Sequence, residues 1–121
     1  MANTFKVFTI ADVAIDTGTY STIYTCAGST TGIVLGLNIC NKTDTDRDVT
    51  VKLSSDTASR TGNNDAANEA VTLLNEVIIP ANTTLEVMSG QKHVFEATDV
   101  LTIGAEAGSA LDAALSMMEI T

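Results

Sequence analysis

Nineteen of the 121 residues are threonine, and the apolar residues among them are spaced at every second position. β-Branched side chains are stiff in a helix and fit a pleated surface. Ile33, Leu35, Leu37 and Ile39 alternate with Val34, Gly36, Asn38 and Cys40. Val49, Val51 and Leu53 alternate with Thr50 and Lys52, and Leu85 and Val87 with Thr84, Glu86 and Met88. A period of two marks a strand with one buried face. The pattern predicts strands at 4–10, 20–26, 31–41, 47–54, 70–79, 84–89, 92–96, 99–104 and 111–120. Turn formers lie between them: Asp16-Thr17-Gly18, Ala27-Gly28-Ser29, Asn41 to Asp46, Pro80-Ala81-Asn82 and Ser89-Gly90. Pro80 closes a strand because it cannot donate to a ladder. In the last segment Ser109 and three alanines favour a short helix, whereas Leu115 to Ile120 reads as strand, and strand is expected. Short, regularly spaced strands point to an all-β sandwich or small barrel. The expected fold is an antiparallel β-sandwich, jelly-roll or immunoglobulin-like, forming one domain over 1–121 with a long polar loop at about 54–69.

Charge narrows the partners. Six basic against fifteen acidic residues leave a net charge of −9. Nucleic-acid binding needs Lys and Arg to neutralise phosphates, and anionic membranes attract the same residues, so neither partner is expected. With 45% hydrophobic and 17% charged residues, the chain is too apolar to be disordered. The opening stretch MANTFKVFTI has no apolar run of signal-peptide length. The longest apolar run, near Gly32 to Cys40, is broken by Gly36 and Asn38 and falls far short of the roughly 20 residues of a spanning helix. The chain is expected to stay where it is made, or to leave by assembly or lysis.

Candidate chemistry is sparse. Asp44-Thr45-Asp46-Arg47-Asp48 opens like a calcium loop, but Val49 and Ser55 stand where an EF-hand needs Gly and Glu. The run reads as a solvated hairpin tip, its repulsion offset by Arg47 and Lys42. In the long loop, Asp56, Asn63, Asn64 and Asp65 are oxygen donors that also serve ordinary turns. His93 is the one imidazole; no G-x-S-x-G elbow accompanies it, and a partly exposed strand face or a contact between chains is its expected place. Cys26 and Cys40 sit in apolar contexts on strands predicted to be neighbours, and free thiols are expected without an export signal. Gly36 inside a strand marks a bulge or a close backbone approach. The glycines have no phosphate-loop spacing, and five aromatics without Trp give no stacking platform. No catalytic, metal or cofactor-binding residue is assigned, and an enzyme is not expected.

Several segments, in order, resemble a family of small structural proteins in the particles of tailed bacteriophages, many from cyanobacterial and other aquatic hosts. These are the opening MANTFK, Thr22-Ile23-Tyr24-Thr25, Gly32 to Ile39, Val49 to Leu53, Val77 to Val87, Ser89 to Asp99 and the closing Met117-Met118-Glu119-Ile120-Thr121. Asn82 stands where the family has a turn glycine, His93 where it has an aliphatic residue, and the loop 54–69 is longer. The resemblance implies a β-sandwich with a virion structural role and no catalytic residues, assembled in the host cytoplasm.

The expected function is therefore non-enzymatic: a capsid decoration or cement protein bound to the major capsid protein lattice. The alternatives are a neck, tail, baseplate or fibre-attachment protein and, more remotely, a host-surface glycan-binding module. Homo-oligomerisation is expected. Edge strands at the chain ends stick unless paired, so residues 2–7 and 115–120 are the first candidates for pairing with a neighbour or closing the sheet. Asn3, Phe5, Val7, Leu115, Met117, Met118 and Ile120 are the interface residues this implies. The Thr-rich faces and the long loop, with Asn63 and Asn64, come second.

Overall fold

Each alternating segment becomes a strand in the computed structural model, which describes residues 2–13, 20–54, 70–87 and 93–121. In chain order these are β1 (Asn3–Ile10), β2 (Ser21–Thr25), β3 (Thr31–Asn41), β4 (Arg47–Ser54), β5 (Ala70–Ile79), β6 (Thr84–Val87), β7 (Val94–Phe95), β8 (Val100–Ala105) and β9 (Leu111–Ile120). No helix occurs among the described residues; of 109–118, where the alanines favoured one, Ser109 is in a turn and 111–118 lie in β9.

Two antiparallel sheets pack face to face. Sheet A runs β1-β9-β3-β6, with β7 also paired to β3; sheet B runs β2-β8-β4-β5. If β6 and β7 are taken as one interrupted strand, the chain is a long hairpin in which β1 pairs β9, β2 pairs β8, β3 pairs β6 and β7, and β4 pairs β5. Rolling that hairpin brings β3 beside β9 and β4 beside β8. This is the jelly-roll winding, which sets aside the immunoglobulin-like alternative.

The space between the sheets is filled by Val34, Leu37, Ile39, Phe95, Leu111, Leu115 and Met117 from sheet A. Val49, Val51, Ile79, Leu101 and Ile103 face them from sheet B. Each such side chain contributes roughly 1.5–3 kcal/mol on burial. The alternation in β3 does not run in one phase. The β3–β9 register shifts between Val34 and Gly36, and the extra residue of the bulge turns the strand over. Before it the even positions face inward; after it the odd positions do. Leu37 and Ile39 are therefore core, whereas Leu35 is exposed and Ile33 half-buried on the outside.

Local chemistry stabilises the turns. Asp12, Ser29, Asn82 and Ser109 take left-handed φ values of 58°, 59°, 57° and 56°. Asn tolerates this conformation better than most side chains, which explains how Asn82 serves at a glycine-like turn. Residues 42–46 form a corner between β3 of sheet A and β4 of sheet B, not a hairpin tip. Buried Asn41 organises it. Its Nδ2 donates to the carbonyls of Thr45 and Ile79, both at 2.9 Å, and its Oδ1 accepts from the Thr43 N–H and hydroxyl at 3.0 and 2.7 Å. One side chain thus joins the end of sheet A to β5 of sheet B. Asn41→Ala leaves these partners unsatisfied, and a loss of about 1–3 kcal/mol is expected in urea melts, with the all-β circular dichroism retained.

Candidate interaction surface

The outer faces of the two sheets differ in chemistry. On sheet B, register places Thr22, Thr102, Lys52 and Thr72 in one polar row across four strands. On sheet A, the corresponding row is Phe5, Met118, Ile33 and Val94. Phe5 is 71% exposed, Val94 58% and neighbouring Val7 63%, so the row meets solvent. Exposed Leu35 and half-buried Ile120 flank it. Contiguous apolar surface of this kind marks a protein-contacting face; on sheet B the large exposed apolar side chains, Val71 and Ile78, both lie on the edge strand β5, outside the Thr–Lys row. A shallow recess of about 290 Å³ lies beside the end of β1, lined by Thr9, Ile10, Ala11, Cys40, Asp112, Ala113 and Ala114.

The opposite end of the sandwich holds a carboxylate that is largely inside. Glu119 accepts a hydrogen bond from the Tyr24 hydroxyl at 2.8 Å and an ion pair from Lys6 Nζ at 2.7 Å. The Tyr24 ring stands edge-on to Phe8 and Phe95, with centroids 4.9 and 5.5 Å away. Gly32 leaves room for it: a Cβ there would come within 2.7 Å of the Tyr24 hydroxyl and 2.8 Å of Met117 Cε. The Lys6 hydrogen bond, then that from Tyr24, holds the Glu119 carboxyl below its ordinary value, against the opposing effect of burial. Burial first, then the bond to Glu119, raises the Tyr24 phenol. At the far end of β1, Lys42 pairs with Asp12 and, at 3.1 Å, with Asp112. It serves this junction of β1, β3 and β9 and not the 44–48 acidic run.

The structure sorts the residues expected at an interface. Asn3, Phe5 and Val7 are exposed on β1, and Met118 and Ile120 are half-buried on the same outer face. Leu115 and Met117 are not available: both are 0% exposed and belong to the core. Of the two roles expected for 115–120, pairing with a neighbour or closing the sheet, the first is excluded and the second fits, because β9 lies between β1 and β3. Asp56, Asn63, Asn64 and Asp65 lie outside the described residues. Leu35 and Val94 were missed because a strand read alone does not reveal a bulge or a cross-strand neighbour.

The other candidates act within the fold. Asp46 accepts the Ala81 N–H and Asp44 the Thr45 hydroxyl. His93 is half-buried, and its carbonyl accepts the Val34 N–H. Cys26 and Cys40 are free thiols that do not lie on neighbouring strands: Cys26 directly follows β2 of sheet B, and Cys40 is in β3 of sheet A. Cys26 Sγ is 3.3 Å from the Thr30 carbonyl it donates to. No group of three or more His, Cys, Asp or Glu able to hold a metal occurs among the described residues.

No protein-family model matches the chain, and no curated protein does. Among solved structures, it is similar to a subunit from work describing Bacillus endospore appendages as a novel family of disulfide-linked pili. The TM-score is 0.51 at 15% identity, covering 99% of this chain and 88% of that one. At that identity the likeness concerns the β-rich fold.

Two outcomes follow from the Glu119 cluster. A carboxyl with a lowered folded value contributes stability fully above its ordinary value of 4.5, and that contribution is lost as pH falls from there through the folded value. Glu119→Gln should cost about 1–2 kcal/mol at pH 7 and flatten the acid dependence of urea melts below pH 4.5. Gly32→Ala crowds a ring held on two sides, and a loss of about 1–3 kcal/mol is expected in thermal melts.

Proposed function

We propose that this chain is a non-enzymatic structural protein of a tailed-bacteriophage particle, a capsid decoration or cement protein that seats the outer face of sheet A on the major capsid protein lattice. The observation that carries the reading is the apolar row Phe5–Met118–Ile33–Val94, flanked by Leu35. A passive attachment needs buried area, roughly 800 Å² per partner in a standard interface, and the apolar content of this face gives such burial a driving force. The resemblance of the ordered segments to virion structural proteins supports the same reading. The jelly roll itself serves capsid and lectin domains alike, and the pilus subunit of similar fold belongs to a polymer, so the fold is compatible without being specific. The outward-facing acidity of a chain with net charge −9 suits a surface away from packaged DNA.

Quantitative mass spectrometry of purified particles tests the proposal. Decoration of a symmetric shell requires on the order of hundreds of copies per particle. A count of about a dozen would instead support the neck, tail, baseplate or fibre-attachment reading, and absence from the particle would overturn both. Leu35→Asp with Val94→Asp, placed away from β1, should abolish attachment to capsids while changing stability by only about 0.5 kcal/mol per site.

A further inference from the structure

We infer that the β1 edge of sheet A pairs with the β1 edge of a second copy of this chain, antiparallel and about a two-fold axis, so that two five-stranded sheets become one continuous sheet. The inference stands on edge geometry and does not rest on the virion reading.

The argument begins with where the backbone groups of β1 point. Ala2 and Thr121 exchange both N–H···O bonds, at 3.2 and 3.0 Å. In an antiparallel ladder such pairs recur at every second residue. Thr4, Lys6, Phe8 and Ile10 therefore bond to β9, while the N–H and C=O groups of Asn3, Phe5, Val7 and Thr9 point to the open edge. No described strand lies on that side within sheet A.

An open edge is a template for another chain, and proteins protect it by shortness, bulges or charge. The other edges have such protection. β2 has five residues and a register shift between Thr22 and Tyr24. β5 has register shifts against β4, and its Glu76 takes a φ of 51°. β6 and β7 have four and two residues. β1 is eight residues long and pairs with β9 without a shift. Its one charge, Lys6, is bound to Glu119 at 2.7 Å.

Composition selects the occupant. The chain has a net charge of −9, yet residues 1–11 contain Lys6 and no carboxylate. Two copies can therefore approach through β1 without bringing acidic side chains of that strand together. The strand is also self-complementary about Lys6. In the register that uses all four edge-facing residues, Asn3 lies opposite Thr9 and Phe5 opposite Val7, polar on polar and apolar on apolar. About eight backbone hydrogen bonds form, and the two Lys6 side chains at the axis each keep their own Glu119. The apolar row of sheet A then continues from one copy into the next.

Sedimentation velocity and light scattering on the full chain test this. The expected mass is twice the 12.6 kDa of one chain. In Val7→Pro the lost N–H is one that faces the open edge, a position where sheets tolerate proline. This variant should sediment as a monomer with unchanged circular dichroism. A wild-type monomer at 100-fold the working concentration, an odd-numbered assembly, or a Val7→Pro variant that remains dimeric overturns the inference. If Val7→Pro does not fold, cysteine trapping decides. In a Cys40→Ser background, mixed Phe5→Cys and Val7→Cys chains should form a disulfide-linked heterodimer more readily than either variant alone. Failure to do so when both variants are folded overturns the inference.

Discussion

Strand β9 is held on both sides, by β1 and by β3, and the sandwich depends on that placement. Its inward residues Leu111, Ala113, Leu115 and Met117 form the floor of the core, and Glu119 continues the same line to the rim. Without the β1–β9 and β3–β9 ladders the rolled hairpin would have no closure on the sheet A side, and those inward side chains would meet water. The same placement leaves β1 as the outermost strand of its sheet. The core and the open edge are thus two consequences of one pairing.

The cluster of Lys6, Glu119 and Tyr24 shows how this end of the molecule carries polarity inside. A buried carboxylate is costly unless its oxygens are bonded. Here one oxygen takes the Tyr24 hydroxyl and the other the Lys6 ammonium. The arrangement links β1 and β9 of sheet A to β2 of sheet B, and it occupies the one charge that would otherwise guard the β1 edge. At the opposite end Asn41 performs the neutral counterpart, binding the β3–β4 corner to Ile79 of β5. Hydrogen bonds at the two ends orient sheets whose attraction comes from the apolar layer between them.

The interaction surface was partly legible. Phe5 and Val7 stood out because they lie in a strand at a chain end, where an unpaired edge is expected. Met118 and Ile120 were found by the same logic, but so were Leu115 and Met117, which face the other way. Period two divides a strand into two sets of side chains without saying which set faces the core when both are apolar. In β3 the bulge at Val34–Gly36 reversed the sets midway, so Ile33 and Leu35 went outward although they share a parity with Leu37 and Ile39. The glycine at position 36 was the one visible sign of that reversal.

The sequence by itself determined the strand content, the positions of most turns, the acidic character and the shortage of catalytic side chains, because each is a property of nearby residues or of their sum. Alternation follows from the pleat, and turns follow from residues such as Asn82 that accept left-handed backbone. Tertiary structure alone decided that β9 is interior while β1 is at an edge, that the winding is a jelly roll, and that Phe5, Met118, Ile33 and Val94 stand in one row. Those facts concern which strands become neighbours across long stretches of chain. Neighbour choice is settled by closing the whole core at once, and no local pattern of side chains encodes it.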